Sequence, residues 1–78
     1  MSDPVVDAIN TVRENLDLPA ISDLDDAAQL RRDLGMDSLA LAELGVRLED
    51  ATGIDVFSNR VVETVGDIRV ELKLGEAS

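Results

Sequence analysis

The amino-acid sequence predicts an all-α fold: a small four-helix bundle with a long loop between helices 1 and 2 and a short helix 3. Apolar residues recur at helical spacing in separate stretches, and capping residues and glycines stand at the ends of those stretches. The core must be aliphatic, because Phe57 is the one aromatic residue among the 78. A chain of this length buries only about 60–65% of its unfolded surface. We therefore expect a single, modestly stable domain over residues 1–78.

The first predicted helix runs from Pro4 to about Leu16. Asp3 followed by Pro4 is typical of an N-cap and a proline at the first helical position. Apolar residues then repeat at i, i+4, i+7 and i+11, which places them on one face. These residues are Val5, Ile9, Val12 and Leu16. Pro19 indicates that the helix has already ended.

A long ordered loop is predicted from Pro19 to Met36, with a helical turn near residues 27–32. Four apolar side chains, Ile21, Leu24, Leu30 and Leu34, are expected to hold it against the core. The acidic residues at 23, 25 and 26 suggest a calcium-binding loop. An EF-hand is rejected, because Ala28 stands where the loop needs glycine and Leu34 where it needs glutamate.

The second predicted helix, from about Ser38 to Ala51, ends before Gly53 and carries two apolar stripes on opposite sides. The stripe assigned to the core consists of Leu41, Leu44 and Leu48. The stripe assigned to solvent consists of Leu39, Ala42 and Val46, and it is flanked by Glu43, Glu49 and Asp50. An exposed apolar strip edged with carboxylates is typical of a partner-binding surface. These six residues are therefore the predicted partner face.

The last part of the chain is predicted to hold two further helices. Phe57 to Val62 has room for a short one at most. Thr64 and Asp67, three residues apart, are typical of a capping box that begins the next. On that fourth helix, the side chains of Val65, Ile68 and Leu72 are expected to face the core.

The composition excludes several classes of function. The formal net charge is −10, from 17 acidic and 7 basic residues, which argues against nucleic-acid binding and favours partners with basic surfaces. Cysteine and histidine are absent, which argues against zinc sites, thiolate nucleophiles and an enzyme with its own general base. The sequence contains no apolar run as long as the ~20 residues of a membrane span. We expect a cytoplasmic monomer with no resident metal and no catalytic residues.

Ser38 and Asp37 are the candidate functional residues, and each has a purely structural alternative. Ser38 could be the cap of the second helix, and losing such a cap costs about 1 kcal/mol. Asp37 could be a cap or could interact with the helix dipole. Next to Ser38, the carboxylate could also bind a metal ion that arrives with a substrate. Spacing alone favours the structural interpretation of Ser38.

Two segments nevertheless resemble a known family. Residues 34–39, Leu-Gly-Met-Asp-Ser-Leu, resemble the attachment motif of acyl carrier proteins, and residues 63–68, Glu-Thr-Val-Gly-Asp-Ile, resemble the start of their fourth helix. The similarity covers almost the whole chain. It implies that Ser38 carries 4′-phosphopantetheine, transferred from coenzyme A by a phosphopantetheinyl transferase, with Asp37 helping to hold magnesium during the transfer.

The resemblance also implies what the attached group does. Acyl groups would be carried on it as thioesters, loaded by a ligase or transferase and used by synthase or condensation enzymes. The protein itself would be a free-standing carrier and not an enzyme, because partner proteins would supply all catalysis.

Three departures from the family pattern favour a specialised pathway that makes polyketides or lipopeptides. Ala40 stands where carriers of fatty-acid synthesis often have an acid, and Gly45 where they often have a larger apolar residue. The segment Phe57-Ser58-Asn59 also replaces a common proline-acid segment. The alternatives are a general carrier of fatty-acid synthesis and, from a different class, an unmodified acidic helical adaptor.

Overall fold

A computed structural model of the chain describes residues 3–22, 24–58 and 61–77, apart from the side chains of residues 76 and 77. Within these ranges the protein is all-helical, with α1 (Pro4–Asn15), α2 (Ser38–Thr52) and α3 (Val65–Ala77). The expectation of an all-α fold is confirmed. The predicted four-helix bundle is wrong, because the described residues form three helices.

The missing element is the short helix predicted between Phe57 and Val62. The described residues at both of its ends are turn or irregular backbone, and its centre, residues 59 and 60, lies outside the described residues. Residues 61–64 instead lie beside the long loop. The N–H of Leu30 donates to the carbonyl of Glu63 at 2.9 Å, and Gln29 forms an antiparallel bridge with Thr64. This pairing holds Glu63 and Thr64, which directly follow the predicted short helix, in non-helical backbone beside the loop.

The helix ends follow the predicted local signals. Asp3 caps α1, since its Oδ1 accepts from the N–H of Val5 at 2.9 Å. Gly53 ends α2 with φ of 78°, the left-handed conformation that suits glycine, and its N–H donates to the carbonyl of Glu49 at 2.7 Å. The end of α2 at Thr52 lies one residue beyond the prediction.

The capping box before α3 is also confirmed. The N–H of Asp67 donates to Thr64 Oγ1 at 3.1 Å, and the N–H of Thr64 donates to Asp67 Oδ2 at 3.2 Å. Val65, Ile68 and Leu72 on this helix are buried, as expected.

Two expected core residues are less buried than predicted, although Leu41 still packs against the core. Leu16 follows the last residue of α1 and is 39% exposed, because the chain turns sharply at Asp17, which has φ of 60°. Leu41 is only partly buried, and Ala40 is buried in its place. The inward face of α2 is centred on Leu44 and Leu48, so position 40, one turn before Leu44, faces the core and position 41 lies at its edge.

The long loop is held down by its apolar residues and by an arginine. Leu30 and Leu34 are buried and Ile21 and Leu24 partly so, as predicted, and Met36 is a further buried residue. Arg13 of α1 is buried, donating from Nε to the carbonyl of Pro19 at 3.1 Å and from Nη1 to the carbonyl of Leu34 at 2.6 Å. The loop therefore reaches the start of α2 in a fixed position. Of the acidic cluster in this loop, Asp23 lies outside the described residues.

Candidate functional site

Ser38 is the first residue of α2 and is exposed. The cap is the residue before it: the N–H of Ala40 donates to Asp37 Oδ1 at 2.8 Å. Capping therefore belongs to Asp37, and the interpretation of Ser38 as the cap is wrong. The cap uses one oxygen of the Asp37 carboxylate, and Ser38 Oγ is left with no part in holding the helix end.

The hydroxyl of Ser38 has a partner that the sequence did not reveal. Arg31 Nη2 donates a hydrogen bond to Ser38 Oγ at 3.1 Å, and both side chains are exposed. The two residues are seven positions apart, but a turn at residues 31–34 and irregular backbone at 35–37 separate Arg31 from α2, so they do not share a helix. The one signal in the sequence for this contact was the presence of a basic residue, Arg31, near Ser38 in an acidic chain.

An open groove begins at Ser38 and follows α2. Its apolar lining consists of Leu41, Ala42, Gly45, Val46 and Phe57, and Glu49 and Asp55 lie at its edge. Phe57 forms one wall because its ring packs on Gly45. A hydroxyl at the end of an apolar groove is a suitable attachment point for a long flexible group.

The comparisons with known proteins agree with this geometry. Residues 7–69 match the family described as "Phosphopantetheine attachment site". An "Acyl carrier protein" of Saccharopolyspora erythraea is 46% identical over 63 residues, which cover 78% of this chain and 64% of that protein. This chain belongs to the acyl carrier protein family. The match spans a little under two thirds of the relative's length, and no solved structure matches significantly.

Members of this family carry covalently attached 4′-phosphopantetheine, and the residues around Ser38 of the carrier fit that group. Ser38 Oγ is accessible, and Arg31 offers a positive charge next to the oxygen that would bear the phosphate. The groove along α2 offers apolar surface to the arm. Among the described residues, no group of three or more acidic side chains is arranged to hold a metal ion.

A second pocket of about 250 Å³ lies on the other side of Leu41. It is lined by the loop residues 29–31 and by residues 61–63, which precede α3. Leu41 lines both this pocket and the groove along α2. The side chain that was assigned to the core therefore separates two recesses of the carrier, one on each side of the start of α2.

The predicted partner face of the carrier is exposed as expected. Leu39 is 80% exposed and Val46 69% exposed, and Ala42 between them is also exposed. Glu49 and Asp50 lie exposed along the same side. Exposure makes these residues accessible to a partner, and their role in binding one stays a prediction.

Glu43 differs from the other two acidic residues of this face. Its Oε1 accepts from Arg47 Nη2 at 3.2 Å and from Asn15 Nδ2 at 2.8 Å, so its charge is already engaged within the carrier. Glu49 and Asp50 therefore offer more unneutralised charge to a basic partner than Glu43 does.

No helix of the described residues is long and apolar enough to cross a membrane.

Proposed function

We propose that Ser38 is the sole attachment site of 4′-phosphopantetheine and that the protein carries acyl intermediates as thioesters on that group. The observation that carries the proposal is the exposed hydroxyl of Ser38 at the start of α2, freed from capping by Asp37. Membership of the family supports the same assignment, because residues 7–69 that match it include Ser38.

The attachment step needs little from the carrier. Ser38 Oγ attacks the phosphorus that bears the pantetheine of coenzyme A, the pyrophosphate bond breaks, and adenosine 3′,5′-bisphosphate leaves. The hydroxyl proton passes to a base on the transferase. Arg31 donates to Oγ, so the hydroxyl keeps its own hydrogen for that base. The second oxygen of Asp37 is available to the magnesium ion of the reaction, because the cap uses Oδ1.

The bound group supplies the thiol that this chain, which has no cysteine, lacks. Without histidine as well, the carrier lacks the commonest general base near neutral pH. Loading enzymes and downstream synthase or condensation enzymes then perform the chemistry, and the carrier brings the acyl group to them.

The partner face of α2 is the surface we propose for these enzymes and for the phosphopantetheinyl transferase. Leu39 and Val46 supply the apolar contact, with Ala42 between them, on the helix that begins at the hydroxyl to be modified. Glu49 and Asp50 attract basic surfaces during the approach, and Glu43 contributes less because Arg47 neutralises part of its charge.

The pathway we propose is a specialised one, producing polyketides or lipopeptides. The groove beside Ser38 supports this, because Gly45 and Phe57, two departures from the pattern of fatty-acid carriers, shape it together. The alternative is a general carrier of fatty-acid synthesis. Such a carrier would accept malonyl loading and every intermediate chain length, and a specialised carrier would discriminate among them.

The attachment is tested by intact mass after co-expression with a phosphopantetheinyl transferase. We expect the mass to rise by one phosphopantetheinyl group, to stay unchanged in Ser38→Ala, and to rise normally in the matched control Ser58→Ala, which alters another exposed serine. Modification that persists in Ser38→Ala would disprove the assignment. A wild-type protein that gains no mass would instead support an unmodified acidic adaptor.

A further inference from the structure

We propose that Arg31 is a positioning residue that binds the phosphodiester of the group on Ser38 and keeps the base of the arm on the loop side of α2. This inference rests on the proposed attachment to Ser38. It assigns a role to a residue outside the attachment motif, on the basis of the hydrogen bond from Arg31 Nη2 to Ser38 Oγ at 3.1 Å.

The fold itself holds Arg31 in position. The N–H groups of Asp33 and Leu34 donate to the carbonyl of Gln29 at 2.8 and 3.1 Å, and the N–H of Met36 donates to the carbonyl of Leu30 at 3.0 Å. Leu30 and Leu34, on either side of this turn, are buried. The backbone that presents Arg31 is therefore fixed by the core, independently of the exposed hydrogen bond to Ser38.

Arg31 also differs from other arginines of the chain in its partner. Arg47 and Arg69 form ion pairs with carboxylates, at 3.2 Å to Glu43 and 2.9 Å to Asp3. Within residues 3–22, 24–58 and 61–77, the structure shows no carboxylate paired with Arg31, whose hydrogen bond is to a neutral hydroxyl. In a protein of net charge −10, this leaves a cation directed at the candidate attachment atom.

Modification changes what Arg31 faces. Ser38 Oγ becomes an ester oxygen, and two non-bridging phosphate oxygens, which share one negative charge, lie two bonds away from it. A guanidinium group matches phosphate in shape and charge, and a hydrogen bond between charged groups is about twice as strong as a neutral one. The phosphate is tethered within reach, so binding it requires no separate encounter.

The side on which this contact forms has a consequence for the arm. Arg31 lines the pocket between the loop and residues 61–63, and Ser38 lines the groove on the partner face. A phosphodiester held by Arg31 therefore starts the arm on the loop side of Leu41. Without that contact, the arm leaves Ser38 along the groove that Ser38 itself lines.

The experiment uses the fully modified protein, verified by intact mass, and its ³¹P NMR resonance. The variants are Arg31→Ala, Arg31→Lys and the matched control Arg32→Ala, which removes the same charge from the neighbouring exposed residue. The reference is the wild-type holo-protein unfolded in denaturant. We expect Arg31→Ala to move the resonance towards the unfolded reference, Arg31→Lys to move it partway, and Arg32→Ala to leave it unchanged.

A second measurement monitors the side chain of Arg31 by NMR. The side-chain Nε–Hε signal of Arg31 should shift when the apo-protein becomes holo, the signal of Arg32 should not, and added salt should reduce the shift because the pair is exposed. A ³¹P resonance that is the same in Arg31→Ala as in wild type, or that moves equally in Arg32→Ala, would overturn this inference alone. A wild-type protein that gains no mass would overturn the attachment to Ser38, and this inference with it.

Discussion

The ring of Phe57 lies against α2 at Gly45: a Cβ atom added at residue 45 would stand 2.8 Å from Cδ2 of that ring and 3.3 Å from Cε2. The glycine in the middle of the helix and the aromatic residue after it are therefore one packing arrangement. A larger residue at 45 and a phenylalanine at 57 exclude each other in this geometry. The pair forms part of the groove that begins at Ser38.

Gly45→Ala is expected to lower the free energy of unfolding by about 1 kcal/mol in the wild-type background. The added methyl group overpacks the ring, which costs about 1–3 kcal/mol, and the better helix propensity of alanine returns up to about 1 kcal/mol. In a Phe57→Ala background the clash is gone, so the same substitution should raise stability. Urea unfolding of the four proteins measures both effects. The same sign in both backgrounds would contradict the account.

Asp37→Asn is expected to separate the two roles of this side chain. Asparagine caps a helix as well as aspartate does, so the free energy of unfolding should change little, whereas Asp37→Ala should lower it by about 1 kcal/mol. Both variants should accept phosphopantetheine more slowly, because each loses the carboxylate that we assign to magnesium. Urea unfolding and transfer rates over a range of magnesium concentrations measure the two roles. Wild-type transfer by Asp37→Asn would limit this residue to capping.

Val46→Asp is expected to fold normally and to be modified and loaded slowly. Val46 is 69% exposed on the partner face, so a charge there costs little in the free protein but must be desolvated in a complex. The control is Leu44→Ala, on the buried face of the same helix, which should cost about 2–5 kcal/mol. Circular dichroism and transfer rates measure both variants. Unfolding of Val46→Asp, or wild-type rates in a folded Val46→Asp, would show that this strip is not the recognition surface.

Arg13→Ala is expected to lower the free energy of unfolding by about 2–3 kcal/mol, because the carbonyls of Pro19 and Leu34 lose a buried charged donor. Amides of residues 28–36 should exchange faster with solvent, since the same arginine connects this loop to α1. Arg32→Ala, at an exposed position, should stay within about 0.5 kcal/mol of wild type. Equal effects of the two substitutions would show that Arg13 does not hold the loop.

The stability of the protein should depend on the ionisation of Asp3. Burial alone would raise the pKa of Asp3, but the hydrogen bond and charge of Arg69 and the N–H groups of Val5 and Val6 together hold the pKa below its ordinary value. A lowered folded-state pKa means that this carboxylate stabilises the protein above the unfolded-state pKa, about 3.9. The contribution is lost as the pH falls through the lower folded-state pKa.

Asp3→Asn checks this dependence, because asparagine keeps the cap of α1 and removes the titrating group. We expect its melting temperature to lie slightly below that of wild type at neutral pH, and the difference to shrink as the pH falls below about 4. The effect is small, since the side chains of Asp3 and Arg69 are 37% and 35% exposed. A difference that stays constant from pH 7 to pH 2 would contradict the prediction.

The sequence by itself determined the features that depend on neighbours within one helical turn. Asp3 before Pro4 begins α1, Gly53 ends α2, and Thr64 with Asp67 begins α3, each through hydrogen bonds that span four residues or fewer. The exposure of Leu39, Ala42 and Val46 also follows from local geometry, because the helical period places them opposite the buried face.

Tertiary structure decided the features that join distant parts of the chain. Residues 61–64, at the end of the predicted short helix and just after it, are not helical, and Thr64 pairs with Gln29, more than 30 positions earlier in the chain. The hydrogen bond from Arg31 to Ser38 and the packing of Phe57 on Gly45 could not be predicted from the spacing of residues in the sequence. Local patterns report which conformation the backbone prefers, whereas these contacts depend on where the packed core brings two surfaces together.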